Sequence, residues 1–259
     1  MNSTESSAWT AEERRRHVLA LVADASADGD LHGLTAALQR VCRAATAALG
    51  VRGAAVHVTA ETEVAGVAAC SDVEARAVAE LQFTANEGPA WVAFRTRRPV
   101  LVPELDAAHG RWPGFASLAV VRGVRAVFSF PLQQGAVALG VLDLYADRAG
   151  PLDADGLALG AGFARVATDV LLDGDTVNQA GELDAGVSAS LVDRARIHQA
   201  QGMVMVDLRV TLAEALSRMR ARAFSSETTL LEVAHQVIAG TLTADTWIDG
   251  DGTSNGSPR

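Results

Sequence analysis

A stripe of polar side chains follows one predicted helix near the C-terminal end of the chain. Arg194, His198 and Gln201 recur at i, i+4 and i+7, which places them on one side of a helix. A guanidinium group binds phosphate through paired hydrogen bonds, and RNA is recognised through phosphates, sugars and unstacked bases. The stripe is therefore typical of an RNA-binding surface. An ordinary solvated helix face has the same pattern, and from spacing alone the two interpretations are even.

A second predicted helix carries three arginines. Arg218 and Arg222 share a face, with Arg220 next to it. Arginine suits phosphate binding and base stacking better than lysine does, so these residues extend the predicted surface. Gly202, in the middle of the first helix, costs roughly 1 kcal/mol relative to alanine. That cost indicates close approach of another molecule or of a neighbouring helix, and the two explanations are even.

No set of residues predicts catalysis or metal binding. The six histidines are scattered without HxH or HExxH spacing, and the two cysteines lie far apart and outside any CxxC motif. His57, in a predicted strand, could be a haem or metal ligand, but a hydrogen-bonded structural histidine is the favoured interpretation. Cys70 could be a redox sensor, but an inert, buried thiol is favoured because no Arg or His adjoins it in sequence. We expect no catalytic residue and no metal site, and the sequence names no cofactor.

An aromatic set in the first two thirds of the chain could line a ligand pocket, since such pockets are rich in aromatic side chains. The candidate pocket residues are Phe83, Trp91, Trp112 and Phe128. A packed hydrophobic core also explains them, and we favour it for most of the set. Trp91 and Trp112 are the strongest pocket candidates because both lie beside a proline in loop or short-helix segments.

Composition indicates a folded globular protein, with 49% apolar residues and a net charge of −9. Residues 187–242 hold 6 Arg against 5 Asp and Glu, so this segment is weakly positive in an acidic chain. Charge alone is too weak there for nonspecific binding, and RNA binding would need a local patch and shape recognition. The sequence contains no membrane-spanning apolar run and no signal-peptide pattern, which predicts a cytoplasmic protein without a membrane partner.

Three amphipathic helices are predicted in residues 187–242, with capping-box starts at Thr211 and Thr229 and a stop at Gly240. Such helices can bury a common core as a small bundle. The run I-x-x-A-x-G-M-V-M from Ile197, followed by L-x-x-A-L-x-x-M-R-x-x-A and L-x-x-V-A-x-x-V, resembles an ANTAR domain. The resemblance implies a three-helix module that binds RNA and relieves transcription termination. It also adds Ala200 and Gly202 to the expected RNA-binding residues and favours the RNA interpretation of the polar stripe. The family commonly has Lys where this chain has Gln201.

The preceding residues predict two helices, two strands, short helices, three strands and a helix, which is an α+β arrangement with an antiparallel sheet. A short helix is expected to begin at a capping box of Ser71 and Glu74 and to end near Leu81. The segments EGPAW, RRPVLVPEL, WPGF, GVRAVFSFPL and GVLDLY resemble a GAF domain of the type that precedes ANTAR modules in actinobacteria. This resemblance implies a sensor domain with a sheet sandwiched by helices and a small-molecule ligand.

The expected organisation is an N-terminal helix with a disordered start (1–27), a GAF-like domain (28–172), a linker (173–186), an ANTAR bundle (187–242) and a disordered tail (243–259). The favoured function is a regulator that binds leader RNA hairpins and prevents terminator formation, under control of the sensor domain. A homodimer is expected because Val187 and Leu191 extend an apolar seam upstream of Arg194. A DNA-binding regulator, a sensor acting through protein contacts and an enzyme built on the first domain are the alternatives.

Overall fold

A computed structural model describes residues 9–60, 63–173, 185–226 and 228–242, except the side chains of 59, 60, 63–65, 185–191 and 194. The expected disordered start and tail, most of the linker, and the side chains of Val187, Leu191 and Arg194 lie outside the described part. The chain divides into two compact units, Met1–Leu191 and Val192–Arg259.

The first unit begins with two helices whose ends follow the local sequence signals. They are α1 (Ala11–Asp24) and α2 (Gly33–Leu49). Thr10 and Glu13 form a reciprocal capping box that satisfies free amides at the start of α1. Gly50 ends α2 in the left-handed conformation, with φ of 61°, which glycine adopts without steric cost.

Five antiparallel strands form one sheet with the order β2-β1-β5-β4-β3. The strands are β1 (Gly53–Ala60), β2 (Glu63–Cys70), β3 (Val100–Val102), β4 (Ala126–Gln134) and β5 (Val137–Ala146). Because side chains alternate along a strand, neighbouring residues serve opposite faces. Phe128 and Leu144 belong to the core with α1 and α2, whereas Val127 and Tyr145 belong to the core on the other face. The predicted α+β sandwich is confirmed.

The described residues of this unit also contain a short 3₁₀ helix (Asp106–Ala108) and four further α-helices. These four α-helices are α3 (Val73–Ala85), α4 (Pro89–Thr96), α5 (Pro113–Val121) and α6 (Ala154–Asp173). Helix α6 joins α1 and α2 on one face of the sheet, and α3 and α5 cover the other. The cap expected for α3 is wrong in detail, because the Asp72 carboxylate accepts the Ala75 N–H at 2.9 Å. The Ser71 hydroxyl instead accepts the Ala54 N–H at 3.1 Å. The helix also continues four residues past Leu81.

The described residues after 184 form three helices, as the sequence predicts, and all but the first turns of the first helix belong to the second unit. They are α7 (Ala185–Leu208), α8 (Leu212–Ser225) and α9 (Leu230–Ile238). Each buries one stripe of its apolar residues: Ile197, Ala200 and Val204 on α7; Ala215, Met219 and Ala223 on α8; Leu230, Val233, Ala234 and Val237 on α9. The capping box of Thr229 and Glu232 is complete. At the start of α8, Thr211 accepts the Glu214 N–H, but the Glu214 carboxylate binds Arg218 at 2.8 Å instead of the Thr211 amide.

Candidate RNA-binding surface and sensor cleft

The centre of α7 places only part of the predicted polar stripe at the surface. His198 is exposed. Gln201 is 8% exposed, and its side-chain N–H donates to the Leu212 carbonyl at 2.8 Å. The expectation that Gln201 lies on an exposed face is therefore wrong, because its amide links α7 to the start of α8. Ala200 is fully buried, as its place in the apolar stripe predicts, which leaves no surface for an RNA contact.

The arginines of α8 lie on two different flanks of the helix. Residues two apart on an α-helix are separated by about 200°, and residues four apart by about 40°. Arg218 and Arg222 therefore share one flank of the buried stripe, and Arg220 lies on the other. Arg218 is exposed and paired with Glu214, while Arg220 and Arg222 are half-buried. One flat RNA surface on α8 can include Arg218 and Arg222, or Arg220, but not all three.

Gly202 lies in the middle of α7 with open space around it. A methyl group built on its Cα would have no heavy atom of the described chain within 4 Å, apart from its chain neighbours and the backbone of its own helix. Close packing of a neighbouring described helix therefore does not explain this glycine. Of the two explanations left even by the sequence, approach by another molecule remains as a prediction.

In the first unit, a cleft of about 470 Å³ opens beside the start of α4 and the start of α5. It is lined by Asn86, Glu87, Gly88, Trp91, Val92, Arg95, Arg111 and Trp112. The structure thus brings together the two tryptophans singled out in the sequence. It adds Arg95 and Arg111, which sequence reasoning missed because exposed arginines are too common to stand out. A volume of this size is typical of small-molecule sites.

The other two predicted pocket residues lie elsewhere. Phe128 is 2% exposed and points into the core shared with α1, α2 and α6. It is the third residue of β4, and the alternation of side chains along the strand turns it away from α3 and α5. Phe83 is half-buried and does not line the cleft. The assignment of both residues to one pocket with the tryptophans is wrong.

A buried polar cluster lies on the sheet face covered by α3 and α5. Its centre is the Asp143 carboxylate, whose Oδ2 accepts hydrogen bonds from the Gln82 side chain and from the Tyr145 hydroxyl, the latter at 3.1 Å. His57 Nε2 lies 3.1 Å from the same oxygen. The favoured interpretation of His57 as a hydrogen-bonded structural histidine is confirmed. Burial, followed by the neighbouring Asp143 charge, raises the pKa of Tyr145 well above its usual value.

The sequence contained a signal for this cluster, namely Asp143 inside the apolar strand GVLDLY. A fully buried carboxylate is rare unless it is paired or hydrogen-bonded. Asp143 Oδ1 and the hydroxyl of Ser129, its cross-strand neighbour, have no hydrogen-bond partner in the described structure.

Gln82 connects this cluster to the wall of the cleft. Its Oε1 accepts the Ala90 N–H at 2.8 Å, and its backbone carbonyl accepts the Trp91 indole N–H at 3.1 Å. The side chain of Gln82 also packs over Gly88, where an added methyl group would clash with Oε1. Gly88 has a φ of 136°, which side chains rarely allow. Gln82 therefore links the turn before α4 to Asp143 in the sheet.

Glu87 joins this turn to α5. Its Oε1 accepts the backbone N–H groups of Gly114 at 2.6 Å and Phe115 at 3.0 Å. Amides at the start of a helix have no partner within the helix and favour a negative charge. The segment EGPAW thus fixes both helices that border the cleft.

Both cysteines are buried. Burial raises the pKa of the Cys42 thiol and of the Cys70 thiol, although nearby Arg76 opposes the shift at Cys70. The interpretation of Cys70 as a buried thiol is confirmed.

Neither a metal-binding cluster nor a membrane helix occurs in the described part of the chain. Its residues contain no group of three or more His, Cys, Asp or Glu placed to hold a metal ion. Within the same residues, no helix combines the length and the apolar character needed to cross a bilayer.

Comparisons with known proteins agree with this architecture. A family model for the GAF domain matches residues 32–171, and one for the ANTAR domain matches residues 185–238. No curated protein matches the chain. Among solved structures, the GAF domain of an Acinetobacter phosphoenolpyruvate-protein phosphotransferase is similar, with 12% identity, 62% of this chain and 92% of that chain covered, and a TM-score of 0.47. Free methionine-R-sulfoxide reductase from Neisseria meningitidis has 18% identity, coverages of 62% and 88%, and a TM-score of 0.43.

At these TM-scores the similarities say nothing about ligand or activity. The family match is the stronger finding, because the GAF model covers more than half of the chain and its bounds enclose the whole sheet. Both matched domains are regulatory types: GAF domains are sensors, and ANTAR domains are RNA-binding antiterminator domains. The chain belongs to the GAF domain family and carries an ANTAR domain after its GAF domain.

Proposed function

We propose that this protein is a transcription antitermination regulator that binds leader RNA hairpins through α7 and α8. The observation that carries the proposal is the ANTAR match at residues 185–238, combined with a cationic flank on α8. Arg218 and Arg222 form that flank, and His198 is an exposed polar group on α7. Ala200 and Gln201 are buried in the bundle and are not part of this surface. Arg194 is included because of its spacing in the sequence.

The start of α9 supports RNA over the rival DNA-binding function. A recognition helix reads bases with polar side chains at its N-terminal end. In α9 that end is apolar and acidic, because Leu230 and Val233 are buried and Glu232 is used in the helix cap.

The test is a binding titration of the full chain with a leader RNA of two adjacent hairpins. The Arg218→Ala, Arg222→Ala double variant should bind more weakly, and the salt dependence should flatten by about one unit of slope for each phosphate that is no longer bound. Arg196→Ala is the matched control, since Arg196 is an exposed arginine of α7 that pairs with Asp193. Unchanged affinity in the double variant contradicts the surface, and tighter binding of duplex DNA than of hairpin RNA favours the rival.

The proposal includes a homodimer in the RNA-bound state. An isolated three-helix bundle of this size buries little apolar surface and is marginal alone. Pairing along a seam of Val187 and Leu191 would place two RNA surfaces on one particle and raise the effective concentration of the second hairpin. Leu191→Asp should therefore weaken binding to the two-hairpin RNA more than binding to one hairpin. One protein per RNA at saturation in sedimentation would contradict the dimer.

The GAF domain, in this proposal, senses a small molecule and performs no catalysis. In support, His57 and Gln82 both bind the buried Asp143 carboxylate, and none of these three side chains lines the open cleft. Turnover of a nucleotide by the purified chain, abolished by one substitution in this domain, would contradict the regulatory assignment.

A further inference from the structure

We propose that the cleft beside α4 and α5 binds a planar aromatic anion, such as an aromatic carboxylate or a nucleotide, and that Arg95 and Arg111 bind its negative group. This inference rests on the proposed sensor role of the GAF domain and names the ligand class that the cleft would take. Its basis is the pairing of two cationic and two indole side chains around one opening.

The charges around the cleft favour an anion. Arg95 and Arg111 are both exposed, and neither forms an ion pair with a carboxylate in the described part of the chain. Glu87 is the acidic residue of the lining, and its Oε1 is already bound by two amides at the start of α5. With two arginines against one glutamate, the lining has a net positive charge, and its guanidinium groups suit carboxylate and phosphate geometry.

The Trp91 indole favours a flat, apolar body in the ligand, and the buried Trp112 ring positions a cation at the edge of the cleft. Trp91 is half-buried, and the hydrogen bond from its indole N–H to the Gln82 carbonyl fixes the orientation of the ring. Trp112 is 5% exposed, and the Arg111 guanidinium lies 4.3 Å from its ring centroid. Arg111 is thus held by a cation–π contact that leaves its N–H groups available in the plane of the guanidinium.

The cleft wall is fixed before a ligand arrives. Gln82 anchors the first turn of α4 to the buried Asp143, and Glu87 anchors the start of α5. A preformed wall loses little conformational entropy on binding, so its contacts contribute more fully to affinity. The volume of about 470 Å³ admits one or two fused rings with an anionic substituent.

The experiment is calorimetric titration of the full chain with two probes, 2-naphthoate and adenosine monophosphate. Their uncharged counterparts, 2-naphthamide and adenosine, are titrated in parallel. We expect at least one anionic probe to bind, and its uncharged counterpart to bind about tenfold or more weakly, as the loss of hydrogen bonds to charged groups requires. If only one of the two anions binds, the result shows whether the cleft takes an aromatic carboxylate or a nucleotide.

Arg95→Gln and Arg111→Gln should each weaken binding of that anion by about tenfold or more. Arg98→Gln is the matched control, because Arg98 is an exposed arginine three residues from Arg95 that does not line the cleft. The inference is overturned if neither anion binds at about 1 mM, the weak end of specific affinities. It is also overturned if the uncharged probes bind equally well, or if the Arg98 variant loses as much affinity as the other two.

The two-hairpin RNA titration separates this inference from the proposed function. Wild-type chain that binds hairpin RNA but neither anion contradicts the ligand class alone. Chain that binds an anion in the cleft but no hairpin RNA contradicts the proposed function and leaves the cleft assignment standing.

Discussion

Gln201→Ala should loosen the bundle without removing a residue that contacts RNA. The wild-type side chain is almost fully buried, and its N–H donates to the Leu212 carbonyl at 2.8 Å, between α7 and the first residue of α8. A typical neutral hydrogen bond contributes about 0.5–1.5 kcal/mol net. The truncation also removes one buried methylene group, Cγ, which contributes about 0.8 kcal/mol when fully buried. Partial relaxation of the site reduces the methylene contribution, so we expect the free energy of unfolding to fall by about 1–2 kcal/mol.

Hydrogen exchange measured by mass spectrometry can detect this change inside the full chain. Backbone amides of α8 should exchange about 5- to 30-fold faster in the variant, which is the population change that 1–2 kcal/mol produces. The strands β4 and β5 belong to the other unit, and their exchange should not change. Arg218→Ala is the comparison, because its surface pair with Glu214 contributes only about 0.3–0.5 kcal/mol.

The two variants should therefore have opposite effects on amide exchange in α8 and on RNA affinity. Gln201→Ala should accelerate exchange in α8 and retain most RNA affinity at low temperature, where the bundle is folded. Arg218→Ala should leave exchange nearly unchanged and weaken RNA binding. If exchange in α8 is the same in Gln201→Ala as in wild type, the assignment of this residue to helix packing is refuted. If Gln201→Ala reduces RNA affinity without accelerating exchange, Gln201 contacts RNA.

Two glycines and the two thiols give further tests. Gly202→Ala should stabilise α7 by up to about 1 kcal/mol, because the site is open, yet weaken RNA binding; unchanged or tighter binding would exclude close approach there. Gly88→Ala should destabilise the GAF domain by more than about 1 kcal/mol in urea unfolding, because the turn has positive φ and the new methyl group meets Gln82, and a neutral effect would contradict that geometry. Burial raises the pKa of the Cys42 and Cys70 thiols, so at about pH 9, just above the ordinary thiol value, both should react with iodoacetamide more slowly in the folded chain than in the unfolded chain. Equal labelling rates in native and unfolded protein would contradict their burial.

The same pKa directions give a sign for the pH dependence of stability. The folded chain holds the protons of Tyr145 and both thiols more tightly than the unfolded chain does. The contribution of these groups is therefore complete below about pH 8.5 and is lost as the pH rises past the ordinary thiol and phenol values.

Local signals in the sequence determined most helix boundaries and the two-domain plan. The capping box at Thr10 and the left-handed Gly50 act within a few residues, so they operate wherever the rest of the chain lies. Period-two and period-3.6 apolar patterns also carry their meaning locally, and they predicted the sheet and the three C-terminal helices. These patterns state which face is buried but not what covers that face.

Tertiary structure decided which polar residues reach the surface. Gln201 has the spacing of a surface residue, but the start of α8 lies close enough to accept its amide hydrogen. Phe128 is aromatic like Trp91, yet strand alternation sends it to the opposite core. The cleft joins residues from separate turns, such as Glu87 and Arg111, which only the packing of α4 and α5 against the sheet brings together. Long-range contacts of this kind depend on the summed packing of many side chains, and no short stretch of sequence contains them.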